Sequence, residues 1–401
     1  MQVGDTVSVT GESANSWQIV QNPGQAVVTT GMAGNVAPGA TWTPRMSPKA
    51  WHWISSSAGG DVLAAGAGGG DLNTSVDGGV NWTAGDSPTG LTWISSDMSA
   101  SGDRIAAVQY GGGLYMSTNG GANWTQVTST DPGVNLAAQA FESVNVSQDG
   151  QRIVVAVQNG PLYVSSNAGV NWVAGTMAAA PLNGWWRSVD SSADGMIVMA
   201  ADHNGLLYRS TDGGLTWAAR NVNVGGVPVS ESWYRMKMSA DGSVIAVAGN
   251  AFGGAPGTGI YVSHDAGLTW TKPHSLVADY TAIAMSADGQ IIGVTASGGG
   301  STGRVLRSTD GGASFTEVTM PGTDTNWRAM AMSSDGNRLA VAAGLFAGAV
   351  TGQLYTSGGN RTDMGTLGSI TGGQGLSAEL EYIGGGLFKV RSSAGGTFSI
   401  Q

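Results

Sequence analysis

The sequence contains no cysteine, which excludes disulfide bonds, thiolate metal sites and a cysteine nucleophile. Charged residues are scarce, at 11%, and with four lysines and a net charge of −10 the chain is poorly suited to bind nucleic acid phosphates. Its longest apolar runs, such as residues 153–157, fall far short of the roughly 20 residues that span a bilayer. We therefore expect neither a nucleic acid partner nor membrane insertion.

Motifs for metals and cofactors are also missing. The four histidines lack metal-binding spacing, and the chain has no nucleotide-binding loop, dinucleotide fingerprint or nucleophile elbow. We therefore expect no metal and no cofactor. The first ten residues have neither a basic nor an apolar segment, so no signal peptide is visible. Ser, Thr, Asn, Gln and Gly must cover the surface, which is common on secreted proteins and favours an extracellular, cell-surface or virion location.

Glycine, in contrast, is abundant at 66 residues, and much of it lies in a repeated octapeptide. Successive copies begin 42 to 53 residues apart, which is the length of a four-stranded propeller blade. The six copies are SVDGGVNW (75–82), STNGGANW (117–124), SSNAGVNW (165–172), STDGGLTW (210–217), SHDAGLTW (263–270) and STDGGASF (308–315). The period therefore predicts an all-β repeat protein.

Each octapeptide is expected to close a hairpin. The third side chain can accept backbone N–H groups two residues on, and the fifth-position glycine supplies a positive φ. The third-position residues are Asp77, Asn119, Asn167, Asp212, Asp265 and Asp310. The final aromatic residue can cover the turn, and these aromatics are Trp82, Trp124, Trp172, Trp217, Trp270 and Phe315. All twelve residues are interpreted as structural.

A second recurring feature is an aromatic residue that opens the first strand of each unit. These aromatics are Trp51, Trp93, Phe141, Trp186, Trp233, Tyr280 and Trp327. Seven aromatics predict a seven-bladed β-propeller over residues 39–360. The seventh unit lacks an octapeptide, and PGATWTPR (38–45) looks like the missing half. We therefore expect a strand at 39–46, around Trp42, to be the outermost strand of blade seven and to close the ring.

The octapeptides resemble the Asp-box, or BNR repeat, of sialidases, certain glycoside hydrolases and photosystem assembly factors. The resemblance covers about 320 of the 401 residues and implies the propeller fold. It does not imply sialidase activity, since Asp-boxes in that family are structural turns remote from the catalytic face.

Residues 1–38 and 361–401 lie outside the predicted propeller and have β-like patterns. SWQIVQNPGQAVVTTG, near the N-terminus, and ELEYIGGGLFKV (379–390) resemble the two halves of a small β-module of phage tail fibres and related virion or surface proteins. The resemblance implies one module, built from both chain ends and split by an inserted propeller. Such a module could anchor the chain to an assembly or form a homo-oligomer.

Candidate binding residues lie next to the opening aromatics, at the rim where propellers usually bind ligands. They are His52, Trp53, Glu142, Trp185, Arg187, Tyr234, Arg235 and Arg328. Three arginines, a tyrosine and a glutamate are similar to the sialidase set, but Arg235 is one residue out of register and is expected to point to the opposite side of its strand. Long loops in the last three units, at 250–259, 296–303 and 344–352, are expected to raise one side of a face.

Three functions remain open. The favoured one is a non-enzymatic extracellular or virion protein whose propeller binds a glycan or a protein surface while the terminal module anchors it. The second is a sialidase-like Asp-box glycoside hydrolase, which would need a pair of carboxylates across the central face. The third is a propeller assembly factor. Acidic residues at the strand starts are few, so catalysis is disfavoured and no catalytic residue is assigned.

Overall fold

The computed structural model describes residues 5–12, 16–21, 26–29, 37–137, 139–178, 180–250, 258–297, 303–344, 351–359, 369–384 and 387–400. Over these ranges the regular elements are all β-strands, and none of the chain described there forms an apolar helix of membrane-spanning length. The chain divides into two compact units. The propeller unit comprises Pro44–Gly336 and Ala340–Tyr355, and the terminal unit comprises Met1–Thr43, Asn337–Leu339 and Thr356–Gln401.

Strands are short and follow one another closely along the chain. The first three are β1 (Thr6–Thr10), β2 (Trp17–Val20) and β3 (Ala26–Val28). Those up to residue 146 are β4 (Thr43–Lys49), β5 (Trp51–Ser56), β6 (Leu63–Ala67), β7 (Leu72–Ser75), β8 (Trp93–Met98), β9 (Ile105–Gly112), β10 (Leu114–Ser117), β11 (Thr125–Gln126) and β12 (Gln139–Val146). Those up to residue 238 are β13 (Ile153–Ser165), β14 (Val173–Ala174), β15 (Thr176–Met177), β16 (Ala180–Pro181), β17 (Asn183–Ser191), β18 (Val198–Asp202), β19 (Leu207–Ser210), β20 (Ala218–Arg220), β21 (Val222–Val224), β22 (Val227–Val229) and β23 (Trp233–Met238). The remainder are β24 (Ile245–Gly249), β25 (Ile260–Ser263), β26 (Thr271–His274), β27 (Asp279–Met285), β28 (Ile292–Ser297), β29 (Arg304–Ser308), β30 (Thr316–Glu317), β31 (Trp327–Met332), β32 (Leu339–Gly344), β33 (Thr351–Ser357), β34 (Ser369–Gly372), β35 (Ser377–Gly384), β36 (Leu387–Ala394) and β37 (Ser399–Ile400).

Consecutive strands of the propeller unit pair into antiparallel sheets. Their strand orders are β5-β6-β7, β8-β9-β10-β11, β12-β13-β14, β17-β18-β19-β20, β23-β24-β25-β26, β27-β28-β29-β30 and β31-β32-β33-β4. Short additional pairings of β9 with β12 and of β13 with β17 join neighbouring sheets. Two small hairpins, β15-β16 and β21-β22, lie between sheets.

The strand β4 is the outermost strand of its sheet, although it comes from the beginning of the chain. It spans Thr43–Lys49, so it begins and ends later than the predicted strand at 39–46. Residues 38–41 form a turn instead, in which the N–H of Ala40 donates to the carbonyl of Ala37. β4 contains Pro44 and Pro48, which an outermost strand tolerates because one of its edges needs no N–H donors.

The sheets form a closed ring. The first strands β5, β8, β12, β17, β23, β27 and β31 each pack against the next, and β31 packs against β5. Beyond the ends of these strands, one residue from each sheet takes part in a closed circuit of backbone hydrogen bonds. The N–H of each member donates to the carbonyl of the member from the next sheet, at 2.7–3.0 Å. Its members are Ala58, Ala100, Gln148, Ala193, Ala240, Ala287 and Ser334, which donates back to Ala58. A ring of sheets around a central channel is a β-propeller.

The octapeptides form compact corners with one shared hydrogen-bond pattern. In the copy at 210–217, the Asp212 carboxylate accepts the backbone N–H of Thr216, four residues on rather than the two expected, at 2.9 Å. The Ser210 hydroxyl donates to Asp212 and accepts the N–H of Gly214. The Trp217 indole N–H donates to the carbonyl of Gly214 at 2.7 Å. The first-position serine therefore organises the turn together with the third residue.

The opening aromatics belong to the core. Six of the seven, including Phe141, have no exposed surface, and Trp327 is 2% exposed. They lie in hydrophobic clusters together with residues of the second and third strands. Trp186 and Trp233 each meet the third-strand tyrosine edge to face, with ring centroids 5.2 Å from Tyr208 and 5.4 Å from Tyr261. Such pairs add to the hydrophobic stabilisation of each sheet.

The register of the first strands shifts directly after the opening aromatic. In β23, Trp233 faces Gly249 but Arg235 faces Ala248, so Tyr234 is the extra residue of a β-bulge. The same shift occurs in β5, β8, β12, β17 and β27. The extra residues in those strands are His52, Ile94, Glu142, Arg187 and Thr281. Bulges re-aim side chains, and here they do so at equivalent points around the ring.

In the terminal unit, strands from the two chain ends pair with each other. β1 and β35 are antiparallel, β3 and β36 are parallel, and β2 pairs with β34. The sheet orders are β1-β35-β36-β3 and β2-β34-β37. The core of this unit includes Val27, Ile370, Leu380, Phe388 and Phe398. Neither chain end therefore supplies all the strands of either sheet.

Candidate binding site

A cavity of about 170 Å³ lies at the start of the first strands, where the bulges are. We call it the arginine cavity, and its lining residues are His52, Ile94, Tyr110, Glu142, Gln158, Arg187, Tyr234, Arg235 and Arg328. Six of the eight residues singled out from the sequence are among them. Five of the lining residues are bulge residues, so the irregularity of the strands builds the site.

One guanidinium in the cavity is matched by a carboxylate. Arg187 Nη1 donates to Glu142 Oε1 at 2.8 Å, and the two side chains are only 3% and 12% exposed. Burial raises the pKa of Glu142 above its ordinary value, although Arg187, Arg235 and Arg328 favour the charged form. The Arg187 guanidinium also lies 5.0 Å from the ring centre of Trp185. This arginine is therefore fixed by contacts within the protein.

Arg235 is held by the backbone of three sheets. Its Nε donates to the carbonyl of Thr281 at 2.9 Å, and its Nη1 donates to the carbonyls of Arg187 and Tyr234, each at 3.1 Å. Its guanidinium lies 3.9 Å from the ring centre of Tyr234. Burial lowers the pKa of Arg235 from its ordinary value.

The expectation that Arg235 points to the opposite side of its strand is wrong. Simple alternation along β23 would place Tyr234 and Arg235 on opposite sides. The bulge between Trp233 and Arg235 breaks that alternation, and both side chains line the same cavity.

Arg328 makes a different kind of contact. Its Nη2 donates to the Tyr234 hydroxyl at 3.3 Å, and its Nε is buried without a hydrogen-bond partner in the part of the chain that the structure describes. Burial alone would raise the pKa of Tyr234, but Arg235, Arg328 and Arg187 together outweigh burial and hold that pKa below its ordinary value. The charge of Arg328 is thus directed at a hydroxyl rather than at a carboxylate.

Three lining residues are not among the eight candidates, namely the bulge residue Ile94 and the pair Tyr110 and Gln158. Tyr110 is 49% exposed, and its hydroxyl donates to the Gln158 side-chain carbonyl at 3.4 Å. Both residues come from second strands, β9 and β13, just before short glycine-containing connections. The strand register brings them beside first-strand residues, since β9 and β13 pair with β12 and β17 at these points.

The remaining candidates lie around the cavity. Trp185 does not line it, but its ring centre lies 4.2 Å from that of His203, and the ring packs on Arg187. Trp53 is buried in a hydrophobic cluster with Leu72 and Trp93, and it lines an adjoining cavity of about 120 Å³. Residues 251–257, 298–302 and 345–350, which make up most of the predicted long loops, lie outside the described residues.

Below the arginine cavity the channel carries a polar belt, formed by Asp97, Asn145, Asp190 and Lys237. Lys237 Nζ lies 2.7 Å from Asp190 Oδ1, and the Asn145 amide donates to both carboxylates at 3.0 Å. Burial raises the pKa of Asp97 and of Asp190. These residues line a cavity of about 180 Å³ that reaches the closed backbone circuit. No group of three or more metal-ligating side chains occurs among the described residues.

Comparison with solved structures identifies the fold. A structure of YCF48 bound to D1 peptide is 15% identical, with 79% of this chain and 96% of that chain covered and a TM-score of 0.54. YCF48 from Cyanidioschyzon merolae is 15% identical, with 80% and 98% covered and a TM-score of 0.55. The RRP9 WD40 repeats are 10% identical, with 81% and 99% covered and a TM-score of 0.59. No protein-family model and no curated protein sequence matches the chain.

The chain is therefore a β-propeller repeat protein. Identities of 15% and below show the fold alone, so the likeness does not transfer a ligand or an activity.

Proposed function

We propose that this protein is a non-enzymatic recognition protein of the cell exterior, a cell surface or a virion. In this proposal the propeller has seven blades, and the face with the arginine cavity binds a glycan or a protein surface that carries an anionic group. The terminal unit is a β-module that attaches the chain to a larger assembly or to further copies of itself.

The observation that carries the proposal is the charge of the arginine cavity. Among the described residues that line it are three guanidiniums but only one carboxylate, Glu142, in a chain whose net charge is −10. A concave, partly desolvated cationic site focuses its field and attracts anions. Guanidiniums bind carboxylates through charge-assisted hydrogen bonds, which are stronger than neutral ones. The cavity is thus suited to an acidic group at the end of a ligand.

Further observations support the proposed architecture. The backbone circuit has one member for each predicted blade and returns to Ala58. β4 lies in the sheet of β31 to β33, as a closing strand would. In the terminal unit, pairing of β1 with β35 and of β2 with β34 is what a module assembled from both chain ends requires.

A sialidase-like hydrolase is the second candidate. It is favoured by the meeting of Tyr234, Glu142 and three arginines in one cavity. A sialidase-like enzyme would pair its nucleophilic tyrosine with a glutamate and would need a separate aspartate as the acid. Glu142 is the one carboxylate among the described lining residues, and it already binds Arg187. The geometry therefore supports binding better than turnover.

An assembly factor is the third candidate. It is favoured by the likeness to YCF48, one structure of which contains D1 peptide. In this case the partner would be a peptide or protein surface, and the arginine cavity would bind an acidic group on it.

The proposal is tested with a glycan array, a pull-down of protein partners and a fluorogenic sialoside assay on the full chain. We expect saturable binding to acidic ligands that Arg328→Gln weakens, without turnover of the sialoside. Arg304→Gln is the matched control, because Arg304 pairs with Glu317 on the surface and its loss changes the net charge equally. Turnover that depends on Tyr234 would instead establish the hydrolase, and ligand binding unaffected by Arg328→Gln would place recognition elsewhere.

A further inference from the structure

The three arginines of the cavity have unequal freedom to bind a ligand. Arg187 is engaged by Glu142, and Arg235 by three backbone carbonyls and the ring of Tyr234. The hydrogen bond from Arg328 goes to the Tyr234 hydroxyl instead, so no carboxylate of the described residues accepts from it. A ligand carboxylate would not have to break an ion pair to reach Arg328.

We propose that Arg328 and the Tyr234 hydroxyl bind the ligand's carboxylate directly, while Arg235 is a positioning residue that holds Tyr234 in place. This inference rests on the proposed function and specifies how the same site works. It assigns the three guanidiniums different tasks rather than a common clamp around one carboxylate.

The geometry around Tyr234 supports this division. Arg328 donates to the phenol oxygen, which leaves the phenol proton available to a ligand oxygen beside the guanidinium. A carboxylate placed there would accept from a neutral donor and from a charged one at the same time. Charge-assisted hydrogen bonds of this type are short and strong in a partly desolvated site.

Arg235 has the contacts of a structural clamp. Its hydrogen bonds join the strands β17, β23 and β27, because Arg187, Tyr234 and Thr281 lie on three successive first strands. Its planar fork satisfies these carbonyls while its face covers the Tyr234 ring. A lysine could keep the charge but could not reproduce the fork.

Conservative substitutions separate the two roles. The probe is acetate, the smallest carboxylate, and its binding to the full chain is followed by broadening of the acetate NMR signal. Arg328→Lys keeps a charge beside the ligand, and we expect its acetate affinity to stay within about threefold of the wild type. Arg328→Gln and Tyr234→Phe each remove a direct contact, and we expect losses of about tenfold.

Arg235→Lys should behave in the opposite way from Arg328→Lys. Loss of the fork displaces Tyr234, so we expect about tenfold weaker acetate binding although the charge is retained. The Tyr234 pKa should also move back towards its ordinary value, as measured by ultraviolet titration of the phenolate against Tyr234→Phe. A merely structural role would leave that titration unchanged in the folded variant.

Controls and outcomes are distinct from those of the proposed function. Arg304→Gln and Arg304→Lys alter a surface ion pair and should leave acetate binding unchanged. The inference is overturned if Arg235→Lys binds acetate as tightly as the wild type does. It is also overturned if Arg328→Gln does so, and that measurement can be made even if the Arg235 variant does not fold. Failure to find a glycan or protein partner would overturn the proposed function and leave these acetate results as they are.

Discussion

The octapeptide corners and the arginine cavity use the repeat in opposite ways: the repeated residues of the corners are nearly the same in every copy, whereas those of the cavity differ. In the corners, six copies of one sequence make nearly the same hydrogen bonds, with the third residue accepting a backbone N–H from four residues on at 2.8–3.0 Å. In the cavity, equivalent bulge positions carry different side chains, such as His52, Glu142, Arg187 and Tyr234. The shared residues build the propeller, and the residues that differ give its face an individual chemistry.

Corner contacts and cavity contacts also differ in how far apart the partners lie along the chain. Asp212 and Thr216 meet within one octapeptide, whereas Arg187 meets Glu142 across 45 positions and Arg328 meets Tyr234 across 94. Local contacts survive as long as their own turn forms. Cavity contacts need the complete ring, so changes in the corners should affect stability, whereas changes in the cavity should also alter binding.

The largest expected effect comes from a buried corner aromatic. Trp172→Ala removes an indole that is 1% exposed and part of a hydrophobic cluster, and we expect a loss of about 3–5 kcal/mol in the free energy of unfolding. Denaturant unfolding followed by circular dichroism measures it. Trp82→Ala, at a partly buried corner, is the matched control and should lose less. If the two variants lost equal stability, the burial of the corner tryptophan would not determine the size of the loss.

Next comes the ion pair of the cavity. Glu142→Ala leaves the buried Arg187 guanidinium without its carboxylate, and we expect the free energy of unfolding to fall by about 3–5 kcal/mol. The loss should lie at the lower end of that range because water can enter the cavity. Glu142→Gln keeps an oxygen acceptor for the Arg187 guanidinium, so its loss of stability should be much smaller. Both variants should bind acidic ligands more tightly, because the positive charge of the cavity increases. Weaker binding in both variants would contradict the anion site.

A smaller effect is expected at a corner carboxylate. Asp212→Ala removes the acceptor of the Ser210 and Thr216 hydrogen bonds, and we expect a loss of about 1 kcal/mol because the site is close to solvent. Asp212→Asn should lose less, since Asn119 and Asn167 take the same position in other corners. Thermal unfolding of the two variants gives the comparison.

At low pH the wild type and Asp212→Asn should become equally stable. Hydrogen bonds hold the pKa of Asp212 below its ordinary value despite burial, so its charge stabilises the folded state above a pH of about 4. That contribution is lost as the pH falls through the folded-state pKa. The unfolding free energies of wild type and Asp212→Asn should therefore converge on acidification, and a gap that persists at all pH values would contradict the assignment.

The smallest effect on stability is expected at Arg328. Its side chain is partly buried and makes one long hydrogen bond to Tyr234, so Arg328→Gln should change the free energy of unfolding by no more than about 0.5 kcal/mol. The same variant should bind the ligand about tenfold more weakly, which is as large a loss as we expect for Tyr234→Phe. A large loss of stability without loss of binding would reverse the distinction between corner and cavity.

Much of this organisation is predictable from the sequence because the repeat is local. The opening aromatics mark the buried first strands, and the residue after six of the seven, as in Glu142 and Tyr234, lines the cavity. Alternation gave the wrong direction for Arg235, because a bulge has no signature in a single strand and depends on its partner. Tyr110 and Gln158 escaped prediction because they lie on second strands, and only the pairing of neighbouring sheets brings them to the rim.

The serines that open the octapeptides were also missed as structural residues. Their hydroxyls donate to the third residue and accept the fifth-position N–H, so they are as central to the corner as Asp212 is. The fourth position is another example, since Ala168 and Ala266 adopt positive φ values of 58° and 57° where other copies have glycine. The favourable contacts of the corner outweigh that strain.

The most direct test of the account is the ultraviolet titration of Tyr234, taken as the difference between wild type and Tyr234→Phe, with and without acetate. We predict a pKa below the ordinary tyrosine value of about 10, because three guanidiniums favour the phenolate. Acetate should raise it by offsetting their charge. An ordinary or raised pKa that does not respond to acetate would contradict a cationic, carboxylate-binding cavity.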